Sequence, residues 1–203
     1  MRKLTSALAA LLAIAILVQP LRAQVAWDAP LLVSPATPSG WGIHLVDPWP
    51  GGGVGVLATW RDGSSTGFRL GVAEGWRGET AVYGGVDLSG RVARHSGEFP
   101  LDVDWVAGVG AGIGEGTLVS FPIGLTMGRL LRADGATFNP YLAPRLRVDG
   151  WIGTPRRHRG LRMNLGLDLG LDVGLTQGWS IRFGATMGDP DAVSIGIGTA
   201  LPR

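Results

Sequence analysis

Twelve charged side chains stand on the polar phase of stretches that otherwise alternate apolar residues with small ones. They are Arg69, Glu79, Asp87, Asp102, Asp104, Arg145, Arg147, Asp149, Arg162, Asp168, Asp172 and Arg182. Six Asp and one Glu among them face five Arg, close to balance. A guanidinium keeps its charge when buried and forks onto carboxylates, so such a set can neutralise itself in a narrow space. The same residue types could line a proton or ion path, or pair carboxylates for acid–base work. Mutual pairing is the first expectation, because buried charges need partners merely to be tolerated.

Other constellations carry less. Arg156-Arg157-His158-Arg159 is a basic run whose guanidinium groups, Arg156, Arg157 and Arg159, suit phosphate oxygens. Its plainer reading is a solvated loop. His95-Ser96 with Glu98 holds the residue types of a hydrolytic triad. Neighbours on a strand point to opposite faces, however, and nothing in the stretch announces an oxyanion hole. No enzymatic activity is therefore expected. Gly51-Gly52-Gly53 is not a phosphate loop, since no helix and no Gly-Lys-Ser/Thr follow. The chain has no Cys, which removes thiol nucleophiles, disulfides and Cys-ligated zinc. No metal or cofactor site is expected.

The chain that positions these residues begins with what reads as an address. Residues 1–23, MRKLTSALAALLAIAILVQPLRA, place Arg2 and Lys3 before an apolar run from Ala7 to Val18. That run suits a signal-peptide core and is shorter than the roughly 20 residues that span a bilayer as a helix. A membrane anchor is the alternative. Cleavage after Ala23 would remove three basic residues and no acid, leaving 15 basic against 16 acidic groups. The mature chain then has no basic excess, and nucleic-acid binding is not expected.

Beyond the leader the dominant signal is a period of two. From Leu161 to Thr176 every odd position is apolar and every even one is Gly, Asp, Arg, Asn or Thr. A helix would scatter both sets around its circumference, whereas a strand sends each to its own face. The same alternation runs through Val54–Trp60, Phe68–Val72, Val82–Val92, Leu101–Ile113 and Val119–Met127. It continues in Phe138–Val148, Ile181–Met187 and Val193–Leu201, with a weaker segment at Trp41–Leu45. About ten strands are predicted, separated by tight turns such as Arg61-Asp62-Gly63-Ser64 and Gln177-Gly178. Residues 24–39 read as a loose, Pro-rich extended segment ahead of one domain over 40–203.

Alternation alone also describes a soluble sandwich or barrel, so the second face decides. It is mostly Gly, with sparse Asp and Arg and no Lys, in a chain carrying 34 Gly and only 17% charged residues. Soluble domains carry roughly 25% charged residues. Such a face solvates poorly but suits a narrow interior, while continuous Leu, Val, Ile and Phe on the other suit hydrocarbon. In lipid a sheet must close, because each unsatisfied edge group costs several kcal/mol. Trp41, Trp60, Trp76, Trp151 and Trp179 fall at strand ends, where interfacial aromatic girdles sit.

Phe121-Pro-Ile-Gly-Leu-Thr-Met-Gly128, followed by Asn139-Pro-Tyr-Leu142, resembles the small outer-membrane β-barrel domains of Gram-negative-type bacteria. The likeness spans about residues 40–203 and is one of pattern. The chain departs from it by ending Thr-Ala-Leu-Pro-Arg203 where such barrels often end in an aromatic residue. The resemblance implies an all-β, antiparallel up-and-down transmembrane barrel of 8–10 strands. It also implies outer-membrane localisation, lipid and lipopolysaccharide-phosphate contacts, and the barrel-assembly machinery as partner. A structural or surface-interaction role with a side-chain-filled lumen is expected. A small channel or transporter, and a secreted soluble barrel binding a hydrophobic ligand, stay as alternatives.

Overall fold

The computed structural model describes residues 25–47, 53–63, 65–74, 80–114, 116–133, 136–152, 160–175, 178–189 and 191–199. The expected leader, Trp76, Glu79 and the run 156–159 lie outside the described residues. The first three strands are β1 Gly40–Asp47, β2 Gly55–Asp62 and β3 Thr66–Glu74. Next come β4 Thr80–Ala93, β5 Asp102–Ile113, β6 Thr117–Gly128 and the short β7 Leu131–Ala133. The last four are β8 Ala136–Ile152, β9 Leu161–Gly174, β10 Trp179–Gly188 and β11 Ala192–Thr199.

Each strand pairs antiparallel with its sequence neighbour, except that β7 only folds back on the start of β8 and β6 pairs with β8 directly. Closure is made by β1 and β11, from Gly42 opposite Gly198 to Asp47 opposite Val193. Ten staves therefore form a closed barrel with no free edge among the described residues. All ten match segments picked out by alternation, the weak Trp41–Leu45 included. The upper end of the predicted range is correct.

Register fixes which face is which, since slipping one residue would turn a strand inside out. On β9, Leu161, Met163 and Leu165 are 79%, 68% and 78% exposed, while Asp168 and Asp172 are sealed inside at 1% and 0%. Ile43 and Leu45 of β1, Phe121 and Ile123 of β6, and Ile195 and Ile197 of β11 also face outward. The apolar face is the outside. The pairings also sort the strand ends into two mouths. The first mouth gathers the starts of β1 and β10, the ends of β2 and β11, and the turns after β4 and β6. The second gathers the opposite ends, among them Asp47, Glu74, Ile113 and Ile152.

The aromatic residues mark the first mouth most clearly. Trp41 and Trp60 are register partners with ring centroids 6.3 Å apart, and Phe68 lies 5.5 Å beyond Trp60. Trp179, 54% exposed, stands on the same rim opposite Thr199. Trp151 is half-buried at the second mouth.

Candidate functional site

The lumen is where the polar chemistry collects, and its main occupant is the chain itself. Residues 25–39, ahead of β1, run inside the barrel, and every residue from Val25 to Pro35 is buried. A Cβ on Gly112 near the second mouth would strike the Val25 carbonyl oxygen, whereas Pro35 accepts from Arg91 toward the first mouth. The segment thus passes through the lumen from the second mouth to the first, and then turns into β1. This corrects its reading as a loose extension. Pro30, Pro35 and Pro38 remove backbone donors and break any periodic signal, yet a buried segment can take its partners from the surrounding wall.

Those partners are polar side chains of the staves. Arg69 donates to the carbonyls of Pro30, at 3.0 Å, and Leu31. Arg182 donates to Leu32 O at 3.2 Å, Thr126 to Val33 O at 2.8 Å and Arg91 to Pro35 O at 3.1 Å. Leu31 N donates to Asp168 Oδ1 at 3.1 Å, and Trp27 Nε1 reaches Ser120 O at 3.3 Å. Leu32 sits at φ 54°, a sparsely populated conformation for a branched residue, held by contacts on both sides.

Glycine makes room for this segment. Cβ atoms built on Gly85, Gly108 and Gly110 would lie 2.7, 2.8 and 2.5 Å from carbons of the Trp27 ring, and one on Gly184 would lie 2.6 Å from Leu32 Cδ2. The Gly face therefore buys space for a second layer of chain. Elsewhere in the wall, Tyr83 and Tyr141 lie over their register partners Gly71 and Gly170, covering the bare backbone of strand glycines. Because Trp27 is already packed, Gly110→Val is expected to cost about 1–3 kcal/mol by overpacking. A folding titration in detergent or lipid would show this as a lower midpoint with unchanged slope.

Around the segment, arginines and aspartates pair off. Asp28 is completely buried and receives Arg145, with Arg147 3.8 Å away. Arg145 also grips Asp168. Arg147 meets Asp149 at 2.8 Å, and Asn164 donates to that carboxylate at 2.7 Å. Arg182 meets Asp172 at 3.0 Å, Arg61 joins Asp87 and Ser89, and Arg69 approaches Asp87 at 3.7 Å. Arg91 reaches Asp104 at 2.8 Å and Asp102 at 3.2 Å. At the second mouth Asp189, in the β10–β11 turn, has its carboxyl pushed up by burial, against the pull of Arg147 and Arg162.

Nine of the twelve charges singled out by alternation are buried inside: Arg69, Asp87, Asp104, Arg145, Arg147, Asp149, Asp168, Asp172 and Arg182. Asp102 is half-buried at the first mouth, and Arg162 is exposed near the second, where its inward phase no longer confers burial. Glu79 lies outside the described residues. Sequence reasoning missed Asp28, Arg61, Arg91 and His44. Arg61 and His44 stand on the inward phase of their strands, so parity could have found them. Asp28 gave no such signal. His95 Nδ1 lies 3.0 Å from Asp102 Oδ2, while the Ser96 hydroxyl accepts from Phe99 N at 3.2 Å. Asp102, not Glu98, is thus the carboxylate that orients His95.

These features define a class: a closed ten-stranded antiparallel barrel, apolar outside, its lumen occupied by its own N-terminal segment and an Arg–Asp network. One solved structure to which the chain is similar is the β domain of the Bordetella autotransporter BrkA. The two are 16% identical over 81% of this chain and 77% of that one, with a TM-score of 0.49. No protein-family model and no curated protein matches the chain.

Proposed function

We propose that the protein is an integral outer-membrane barrel with a sealed lumen, serving envelope structure or surface interaction and having no catalytic role. One observation carries the reading: the outward face of the staves is apolar along their length. The acids on that face, Asp47, Asp62 and Glu74, stand at strand ends. Apolar side chains at about half exposure over many strands exceed what a water-soluble monomer presents, and they suit acyl chains. Closure supports the same reading, since a lipid-exposed sheet can leave no edge unpaired. Export by residues 1–23, folding by the assembly machinery and contact of Arg156, Arg157 and Arg159 with lipopolysaccharide phosphates belong to this proposal.

Sealing follows from the occupied lumen. The buried Trp27, Leu31 and Leu32 support it, since a solute crossing the lumen would have to displace them. The expected result in a planar bilayer is silence, while steady single-channel steps would establish the channel reading instead. A band that shifts on boiling before detergent electrophoresis would report the closed barrel. Full recovery in buffer without detergent would favour the soluble, ligand-binding alternative and defeat the membrane reading.

A further inference from the structure

We propose that a cavity just inside the first mouth binds a small monovalent anion of halide size, held by Arg61 and Arg69.

The cavity lies between the staves and the segment that fills the lumen. Gly40 and Thr199, at the start of β1 and the end of β11, line it and place it at the first mouth. Leu32 and Val33 supply the wall on the segment's side. Its charged lining is Arg61, Arg69, Arg182 and a single acid, Asp87. The free space suits a group of a few atoms.

Charge does not balance there. Among the described residues five arginines are buried, and four of them hold a carboxylate directly. Arg145 holds Asp28 and Asp168, Arg147 holds Asp149 at 2.8 Å, Arg182 holds Asp172 at 3.0 Å, and Arg61 holds Asp87. Arg69 is the exception. Its Nη groups donate to the neutral carbonyls of Pro30 and Leu31, with the Trp27 ring centroid 5.4 Å from its Cζ. Its ion-pair contact, at 3.7 Å, is to the same Asp87 that Arg61 already holds. Arg182 and Asp172 cancel, so two guanidinium groups share one carboxylate and one positive charge is left over.

The donors tell the same story. In Arg145, Arg147 and Arg182 the Nε atom donates to an aspartate. In Arg61 and Arg69 the Nε atom is buried with no hydrogen-bond partner among the described residues. A buried donor without an acceptor is costly, the more so on a charged group. The two unmet donors belong to the same two residues that carry the surplus charge, and both residues line the one cavity. Water could accept their hydrogen bonds but would leave the charge uncompensated. An ion with a single negative charge meets both needs. A cation would be repelled, and an apolar ligand would leave both N–H groups unmet.

The test uses the full chain folded in detergent. Urea unfolding is followed in sodium chloride and in sodium gluconate at equal ionic strength, gluconate being too large for the cavity. Chloride should raise the midpoint over gluconate, the unfolding constant falling by about tenfold per tenfold rise in chloride above saturation. Crystals soaked in bromide should show an anomalous peak in hydrogen-bonding contact with Nε of Arg61 or Arg69. R61L leaves Arg69 with Asp87 as a balanced pair, and should lose both the chloride effect and the peak. D87N frees both guanidinium groups, and should lower the half-saturating chloride concentration by about tenfold or more. R162S, at the second mouth, should respond as the wild type does. Each variant is first shown to keep its heat-modifiable band, and if one does not, the wild-type titration and bromide peak still decide. Equal midpoints in chloride and gluconate for the wild type, a cavity holding water but no bromide, or an undiminished chloride effect in R61L would overturn the site.

Discussion

Asp28→Ala is expected to destabilise the folded barrel by about 3–5 kcal/mol, the usual cost of deleting one partner from a buried ion pair. Asp28 is the one charged residue in the segment 25–39, and it lies wholly out of water between Arg145 and Arg147. Arg145 would still have Asp168, and Arg147 would still have Asp149. The Arg145 Nη1 donor would nevertheless be left buried without the carboxylate that now receives it. The measurement is a reversible urea titration in lipid vesicles, read by tryptophan fluorescence. Asp28→Asn should fare no better on charge, although it keeps the shape. An Arg145→Met change made together with Asp28→Leu should not recover the loss, because it leaves buried Asp168 without its arginine. A variant within about 0.5 kcal/mol of wild type, the scale of an ordinary surface substitution, would mean that Asp28 does not hold the segment in place.

The second large effect concerns the opposite face. Leu169→Arg should cost about 2–4 kcal/mol near the bilayer midplane. Leu169 lies at mid-strand in β9, 41% exposed, with Leu142 on β8 and Ala185 on β10 as flanking register partners. An arginine there can reach neither a carboxylate nor water without distorting the bilayer. The same substitution at Leu161, at the strand end and 79% exposed, should cost far less, since charge penalties fall toward the interfaces. Depth dependence separates a lipid face from a merely hydrophobic surface. Equal and small costs at the two positions would argue that this face meets water.

Much of this architecture is legible in the order of residues, and the reason is local. In β9 each Leu and each Asp or Gly declares its side by parity alone, and no distant contact is needed to tell them apart. Parity also placed Asp87, Asp104 and Arg145 inside. It says nothing about height along the barrel, however. Arg162 has the inward phase of Asp168 yet stands exposed at the rim. Arg61 and Arg91 went unnoticed because they lie beside turn-like sequence, where a terminal arginine looks like a solvated one. The segment 25–39 was opaque for a deeper reason. Its hydrogen bonds go to Arg69, Thr126, Asp168 and Arg182, at positions distant in sequence. A chain that relies on a surrounding wall for its partners has no periodicity of its own.

The passage of residues 25–39 through the ring of staves also constrains the history of the molecule. A hoop with a cord through it is made either by drawing a loose end across or by fastening the hoop around the cord. A short N-terminal tail leaves both routes open. A bulky folded body fused ahead of Val25 would leave only the second, with β1 and β11 zipping together last. The clasp between the first and last strands would then be the step that commits the chain to its finished topology.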